Sequence, residues 1–309
     1  MRWATYRSED GTDRVGLVDG DHLRAVTGVG ALLDLLGDDG ERLASAAEQA
    51  TNDPLEVVEL AGADLLAPIP VPPSVRDFMA FEEHVANTRS RTGSAVDPGW
   101  YERPVFYFTN PAAIRPPVAD IAISPGSSWF DYELEVAAVI GRGGGDLHPD
   151  NAEEHIAGYL VLADWSARDL QRQEMASRLG PVKAKDSATS IGPFLVTPDE
   201  LAHRRAGKGF DLAMSATVNG RTCSTGNWSA IHWSFGQMLA YASRGTRLVP
   251  GDIFGSGTVG TGCLLELSIL HGEEKYPWLQ AGDEVVLDIE LLGSLTGRIT
   301  PGSTPIPLG

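Results

Sequence analysis

Asp131-Tyr132-Glu133-Leu134-Glu135-Val136-Ala137-Ala138-Val139-Ile140 is the stretch whose reading decides the fold. The run from Val136 to Ile140 is apolar and β-prone, so the segment reads as a strand with an acidic head. Glu133 and Glu135 lie two apart and therefore share one face of that strand, with Leu134 and Val136 turned to the other. Two carboxylates aimed at one place repel unless a cation or a shared proton compensates them. Further on, Gly158-Tyr159-Leu160-Val161-Leu162-Ala163 reads as a second strand that gives way to polar residues at Asp164. If the two strands are neighbours, three carboxylates converge at one end of a sheet. Oxygen donors of that kind suit Mg²⁺, Ca²⁺ or Mn²⁺ better than zinc. The competing reading is an exposed acidic strand edge in a protein that is acidic throughout.

Beyond Asp164, the residues Asp164, Arg168 and Gln171 stand at helical spacing and would share one face of a helical turn. An acid, a guanidinium and an amide on one face could hold a metal together with an oxygen-rich anion. Without a metal they would be an ordinary surface pair. The other segments fall around this centre. Residues 1–30 read as strands joined at Asp10-Gly11 and Asp19-Gly20, and 31–50 read as helical with a break at Gly37–Gly40. Residues 55–66 read as a further strand or short helix. The proline-rich Pro68-Ile69-Pro70-Val71-Pro72-Pro73 marks a boundary between a small N-terminal β-rich domain, 1–70, and a catalytic domain, 71–309. After it, Asp77 and His84 are seven apart and would share a face if that segment is helical. Residues 88–103 read as a mobile loop and 105–108 as a strand. A short helix, capped by Asp150 or Asn151, is expected before the second strand, and Asn227 or Ser229 is expected to cap a helix reaching about Ser243. Leu264–Leu270 reads as an apolar strand holding one carboxylate, Glu266, which is costly to bury without a partner.

Bulk properties narrow the function. A formal charge of −18 on 309 residues disfavours nucleic acid and anionic membranes as partners. Only four of the 24 basic residues are lysines, and Lys183 and Lys185 stand close together after the acidic stretch. Cys223 and Cys263 form no disulfide framework or metal-ligand spacing and read as small core residues. The chain shows no leader pattern and no apolar run of about 18 residues, the reading expected of a cytoplasmic protein with no membrane partner. The loop Gly255–Gly260 lacks the Lys-Ser/Thr of a phosphate-binding loop.

Taken together, the motifs Asp131-Tyr132-Glu133-Leu134-Glu135, Asp164-Trp165-Ser166-Ala167-Arg168-Asp169-Leu170-Gln171, Pro250-Gly251-Asp252 and Ser256-Gly257-Thr258 resemble the fumarylacetoacetate hydrolase superfamily. The resemblance runs from about Arg76 to Arg298 and is nearest to the long, fumarylacetoacetase-like branch. It implies a predominantly β, α+β fold: a C-terminal mixed β-sandwich roll with a small N-terminal β domain, assembled as a homodimer. It further implies cleavage of a carbon–carbon bond in a small diketo acid, with a divalent metal, Mg²⁺ first among Mg²⁺, Ca²⁺ and Mn²⁺. By that resemblance Asp77, Glu133, Glu135 and Asp164 are the metal ligands, and His84 paired with Glu266 activates water. Arg168, Gln171, Lys185 and Thr258 bind the substrate, and the first three also stabilise developing negative charge. Shorter relatives pair the histidine with a glutamate three residues on, a position that is Asn87 here. The chain departs from the family at Met79, where an aromatic residue is expected, and in 88–103, where the substrate-binding tyrosine has no clear match. Decarboxylation or isomerisation of 2-oxo acids is the alternative enzyme class, and a Ca²⁺-stabilised binding domain the non-enzymatic one.

Overall fold

Every residue of the strand Leu134–Ile140 is buried, as is every residue of its antiparallel neighbour Ile156–Asp164. Strands covered on both faces have no need of polar alternation, which explains the unbroken apolar runs. In the computed structural model, which describes residues 1–90 and 93–307, these two strands lie at the centre of a 12-stranded sheet. Leu134, Val136, Ala138 and Ile140 enter one hydrophobic core, while Ala137 and Val139 enter another on the opposite face.

The first core lies between the large sheet and a five-stranded sheet of Arg221–Asn227, Ala213–Val218, Glu284–Ile289, Gly293–Thr300 and Val118–Ala122. Tyr159, Val161 and Ala163 from one sheet meet Met214, Ala216, Leu287 and Leu295 from the other. Most pairings are antiparallel, but Gly293–Thr300 with Val118–Ala122 and Ile253–Gly255 with Val75–Phe78 are parallel, so both sheets are mixed. The fold is thus a predominantly β, α+β sandwich, as expected. The second core is roofed by the N-terminal segment, where Leu32, Leu35, Leu36, Leu43 and Ala46 cover Ala137, Val139, Leu160 and Leu162. N-terminal strands also extend the large sheet, through Arg2–Arg7 paired with Thr189–Val196.

Turn chemistry follows the local sequence. Asn219 and Gly220 both take positive φ and join Val218 to Arg221 across a two-residue hairpin. Residues 55–66 form two short strands, Val57–Glu59 and Asp64–Leu66.

Four local expectations are corrected. Leu264–His271 is a helix and not a strand. An apolar run of this length does not distinguish the two by periodicity, and the N–H groups of Leu264 and Leu265 are received by the Asp131 carboxylate far back in the chain. Asp77 lies on the strand Val75–Phe78, whereas His84 lies in the helix Glu82–Ser90, so they share no helical face. Asp164 is the last residue of its strand and the next helix starts at Arg168, so only Arg168 and Gln171 are helical neighbours. Asn227 caps a short 3-10 turn, and the helix expected after it starts later, at Phe235 with Ser234 as its cap.

Of the segment 88–103, Thr88–Ser90 close the Glu82–Ser90 helix and Pro98–Tyr101 form a 3-10 turn; Arg91 and Thr92 lie outside the described residues. Trp100 of that turn is buried and donates from Nε1 to the Met79 carbonyl at 2.8 Å, so this part is anchored. Before the second central strand, Ala152–His155 forms a 3-10 turn after Asn151, without a side-chain cap. Among the described residues no helix is long and apolar enough to cross a membrane.

Candidate active site

The acidic centre grows from the strand faces of the second core. Asp77 follows Val75, Glu135 precedes Ala137 and Val139, and Asp164 follows Leu160 and Leu162, each at a spacing that keeps one face. Where the apolar roof ends, these faces turn from hydrocarbon to carboxylate. Register brings them together. Leu134 pairs with Ala163, Asp77 pairs with Gly255, and the Asp164 N–H donates to the Glu133 carbonyl at 3.3 Å. As a result Asp77, Glu133, Glu135 and Asp164 each place an oxygen within 4.8 Å of the others, and all four are buried. Gly255 is required for this approach: a Cβ there would strike Asp77 Oδ1 and Glu135 Oε2. The N–H of Gly257 donates to Glu135 Oε2 at 2.9 Å and to Asp77 Oδ1 at 3.2 Å.

Cations approach from one side. Lys185 Nζ lies 2.5 Å from Glu133 Oε2 and 2.7 Å from Asp164 Oδ2. Arg168 Nη2 lies 2.8 Å from Glu133 Oε1, and its Nε lies 2.8 Å from Asp131 Oδ2. Gln171 accepts from Arg168 Nη1 at 3.1 Å. Burial would raise Glu133, but Arg168 and Lys185 outweigh it and hold that carboxyl below its ordinary range. Burial pushes Asp164 up to about 7 in spite of Lys185. Burial raises Asp77, and burial with the facing Asp77 carries Glu135 well above the usual carboxylate range. Lys185 is pushed up by Asp164 and Glu133 against its own burial, so it stays an ammonium.

The cluster therefore holds more acid than its cations compensate. Glu135 Oε1 and Asp164 Oδ1 are buried with no hydrogen-bond partner among the described residues. Orphaned carboxylate oxygens at the centre of an all-oxygen set fit a hard divalent cation, and Asp77, Glu133, Glu135 and Asp164 are the residues that could hold it.

A second pair lies within electrostatic reach of the cluster, His84 and Glu133 each shifting the other. His84 Nδ1 is 2.9 Å from Glu266 Oε2, and Glu266 Oε1 receives Asn87 Nδ2 at 3.0 Å and the Thr261 N–H at 2.9 Å. Burial would lower His84, yet Glu266 outweighs it and raises the imidazole above an ordinary histidine. Glu266 is held low, its burial overcome by His84. Because Nδ1 is engaged, Nε2 is the ring nitrogen left to exchange a proton.

All of the expected ligands, the two basic groups, Gln171 and the His84–Glu266 pair are thus brought into one interior region. Thr258 is buried next to Gly257, the residue whose N–H binds two of the acids. Two residues were missed. Tyr107, opposite Asp77 in the strand Phe106–Thr109, donates to Asp77 Oδ2 at 2.7 Å and also contacts Asp164 Oδ2. Asp131 is wholly buried and ties Arg168 to the start of the Leu264–His271 helix. Asp131 was visible as part of the acidic motif, but one partner, Arg168, lies 37 residues on and the other, the start of the Leu264–His271 helix, 133 residues on. Tyr107 sat in an aromatic run whose neighbours, Phe106 and Phe108, gave no reason to single it out.

The family model described as fumarylacetoacetate (FAA) hydrolase C-terminal matches residues 74–300. The chain is 28% identical over 309 residues to a protein named fumarylacetoacetase from Oryza sativa subsp. japonica, covering 79% of this chain and 72% of that one. It is 27% identical over 262 residues to the mitochondrial oxaloacetate tautomerase FAHD2A of Homo sapiens, covering 84% and 77%. Among solved structures, the fumarylacetoacetate hydrolase of Exiguobacterium antarcticum superimposes with a TM-score of 0.74 at 26% identity, covering 97% of this chain and 99% of that one.

Proposed function

The chain belongs to the fumarylacetoacetate hydrolase family, and from that footing we propose that it is a divalent-metal-dependent hydrolase of a small β-diketo acid, fumarylacetoacetate-like or acylpyruvate-like. The observation that carries this reading is the buried His84–Glu266 pair within electrostatic reach of the four-carboxylate cluster, through the mutual influence of His84 and Glu133. Hydrolysis needs a base for water, and a pure metal-and-enolate reaction does not.

Asp77, Glu133, Glu135 and Asp164 would hold the metal, with Mg²⁺ first among Mg²⁺, Ca²⁺ and Mn²⁺. When bound, such an ion supplies Lewis acidity and a template for the diketo oxygens. His84 Nε2 takes a proton from water while Nδ1–H donates to Glu266, which steadies the imidazolium as it forms. Water oxygen adds to one carbonyl carbon, the carbon–carbon bond breaks with its electron pair left on the departing carbon, and that carbanion takes up the proton that His84 had received from water. Lys185 and Arg168 donate toward the negative charge that develops on the substrate, and Gln171 keeps the guanidinium in place. Thr258 completes the substrate contacts. In this reading residues 71–309 carry the chemistry, 1–70 form the small β domain beside them, and the active species is a cytoplasmic homodimer.

A second reading, isomerisation or decarboxylation of a 2-oxo acid, is kept because one relative is named an oxaloacetate tautomerase. One experiment separates the two. Purified protein with Mg²⁺ or Mn²⁺ is given fumarylacetoacetate, acylpyruvates, fumarylpyruvate and oxaloacetate, and products are identified by mass. Two acids from one diketo acid, with oxygen from labelled water incorporated, are expected. Keto–enol exchange or carbon dioxide release from oxaloacetate alone would replace hydrolysis with the second reading.

A further inference from the structure

Next to the oxygen-only cluster lies a ligand set of different chemistry. His84, Cys263 and Glu266 each bring one donor atom within 4.8 Å of the others, and all three are buried. Cys263 immediately precedes the Leu264–His271 helix, Glu266 is in its first turn, and His84 comes from the facing Glu82–Ser90 helix. Cys263 Sγ lies 3.5 Å from Glu266 Oε2, the same oxygen that meets His84 Nδ1 at 2.9 Å.

Two of the three separations approach those of a coordination sphere, and the third, between His84 and Cys263, is within 4.8 Å. A tetrahedral zinc site, with bonds of about 2.3 Å to sulfur and about 2.1 Å to oxygen or nitrogen, sets sulfur and oxygen about 3.6 Å apart and nitrogen and oxygen about 3.4 Å apart. The sulfur–oxygen separation is already met, and the imidazole would retreat by about 0.5 Å. Glu266 is also pre-oriented. Its Oε1 is held by Asn87 Nδ2 and the Thr261 N–H, which leaves Oε2 aimed at the other two donors. Ligands fixed through their far atoms in this way bind metal more tightly than free ones. Imidazole, thiolate and carboxylate form the mixed set that a borderline-soft ion selects, in contrast to the hard oxygen set beside it.

We propose that His84 Nδ1, Cys263 Sγ and Glu266 Oε2 form a second metal site, for a thiophilic divalent cation of the zinc class, and that filling it switches off the His84–Glu266 pair. The cation takes the place of the proton between His84 and Glu266 and of the thiol proton, and both are released to water. Glu266 then no longer receives Nδ1–H, and the cation's charge makes Nε2 a poorer base. The site rests on donor geometry alone; only its inhibitory consequence rests on the hydrolase reading.

The test uses the full chain in excess Mg²⁺, with Co²⁺ as the optical probe. Thiolate coordination gives a near-ultraviolet sulfur-to-cobalt charge-transfer band. A saturable band is expected that Zn²⁺ extinguishes, that survives in Cys223→Ala, and that is lost in both Cys263→Ala and Cys263→Ser. Absence of the band in the unaltered protein, or its survival in the Cys263 variants, overturns the site. Should either Cys263 variant fail to fold, the Cys223→Ala result with Zn²⁺ competition decides it, because Cys263 is then the sole thiol. For the consequence, added Zn²⁺ should abolish diketo-acid hydrolysis. Cys263→Ala should keep its Mg²⁺-supported rate within about threefold and need at least about tenfold more Zn²⁺ for the same inhibition. Equal Zn²⁺ sensitivity overturns the switch. A band without turnover on any diketo acid overturns the hydrolase reading and leaves the site intact.

Discussion

The four-carboxylate cluster and the His84–Glu266 pair bury charge in the same interior and resolve it in opposite ways. In the pair, one acid meets one base, and each carboxylate oxygen of Glu266 has a donor. The charges are closed locally, so His84 is raised and Glu266 lowered by each other against burial. In the cluster, four acids share Lys185 and part of Arg168, two oxygens lack any donor among the described residues, and three of the carboxyls are raised. A closed pair suits proton exchange, whereas an open cluster suits a divalent cation. Chemistry and stability should therefore respond differently when each is broken.

The largest effect is expected from Glu135→Ala. Turnover should fall by at least about 10³-fold and lose its dependence on added metal, while in chelator the variant should melt no lower than the unaltered protein, since a poorly compensated buried carboxylate has been removed. Undiminished turnover without metal would break the contrast at its open end. His84→Ala should cost about 10²–10⁴-fold in hydrolysis, the range of a lost general base, yet calorimetry should still show metal-dependent binding of a diketo acid. A full hydrolytic rate would remove the closed end from the chemistry. Lys185→Ala should cost about 3 kcal/mol in the transition state, roughly a hundredfold in kcat/KM; a change below about threefold would show that the ammonium only neutralises Glu133 and Asp164.

The mildest probe is pH. Asp164 is raised from 3.8 to about 7, so below 3.8 both folded and unfolded forms are protonated and the folded form keeps its full advantage. That advantage is lost as pH rises toward about 7, because the unfolded chain ionises first. His84, also raised, loses its contribution in the same direction as pH climbs through its folded value, while the lowered Glu266 loses its own only in more acidic solution. In chelator the melting temperature should thus fall by roughly 5 °C between pH 5 and 8. Excess Mg²⁺ should flatten or reverse the slope, because it binds the ionised carboxylates. An unchanged slope with and without Mg²⁺ would show that the cluster is closed after all.

How far the sequence led can be seen at Glu133 and Glu135. Their two-residue spacing at the head of an apolar run gave a strand with two carboxylates directed to one place, and the need for a cation or a shared proton, although the strand itself starts at Leu134, one residue after Glu133. The same local logic gave the helical neighbours Arg168 and Gln171. It failed at Leu264–His271, where an apolar run has no period to read, and at Asp77 and His84, where a spacing of seven says nothing if the chain turns between strand and helix. It was silent on Tyr107, whose role follows from register against Asp77.

What the sequence determined by itself is therefore the inventory: a buried β framework, an excess of acid at one strand end, and the motifs that mark the family. What only the tertiary structure decided is the compensation of those charges. Asp131 joins Arg168 to the helix carrying Glu266, Lys185 reaches two acids from different segments, and Gly255 lets Asp77 and Glu135 approach. The reason is physical. Backbone periodicity acts between near neighbours, whereas electrostatic compensation in a low-dielectric interior depends on distances of a few ångströms between residues far apart in the chain.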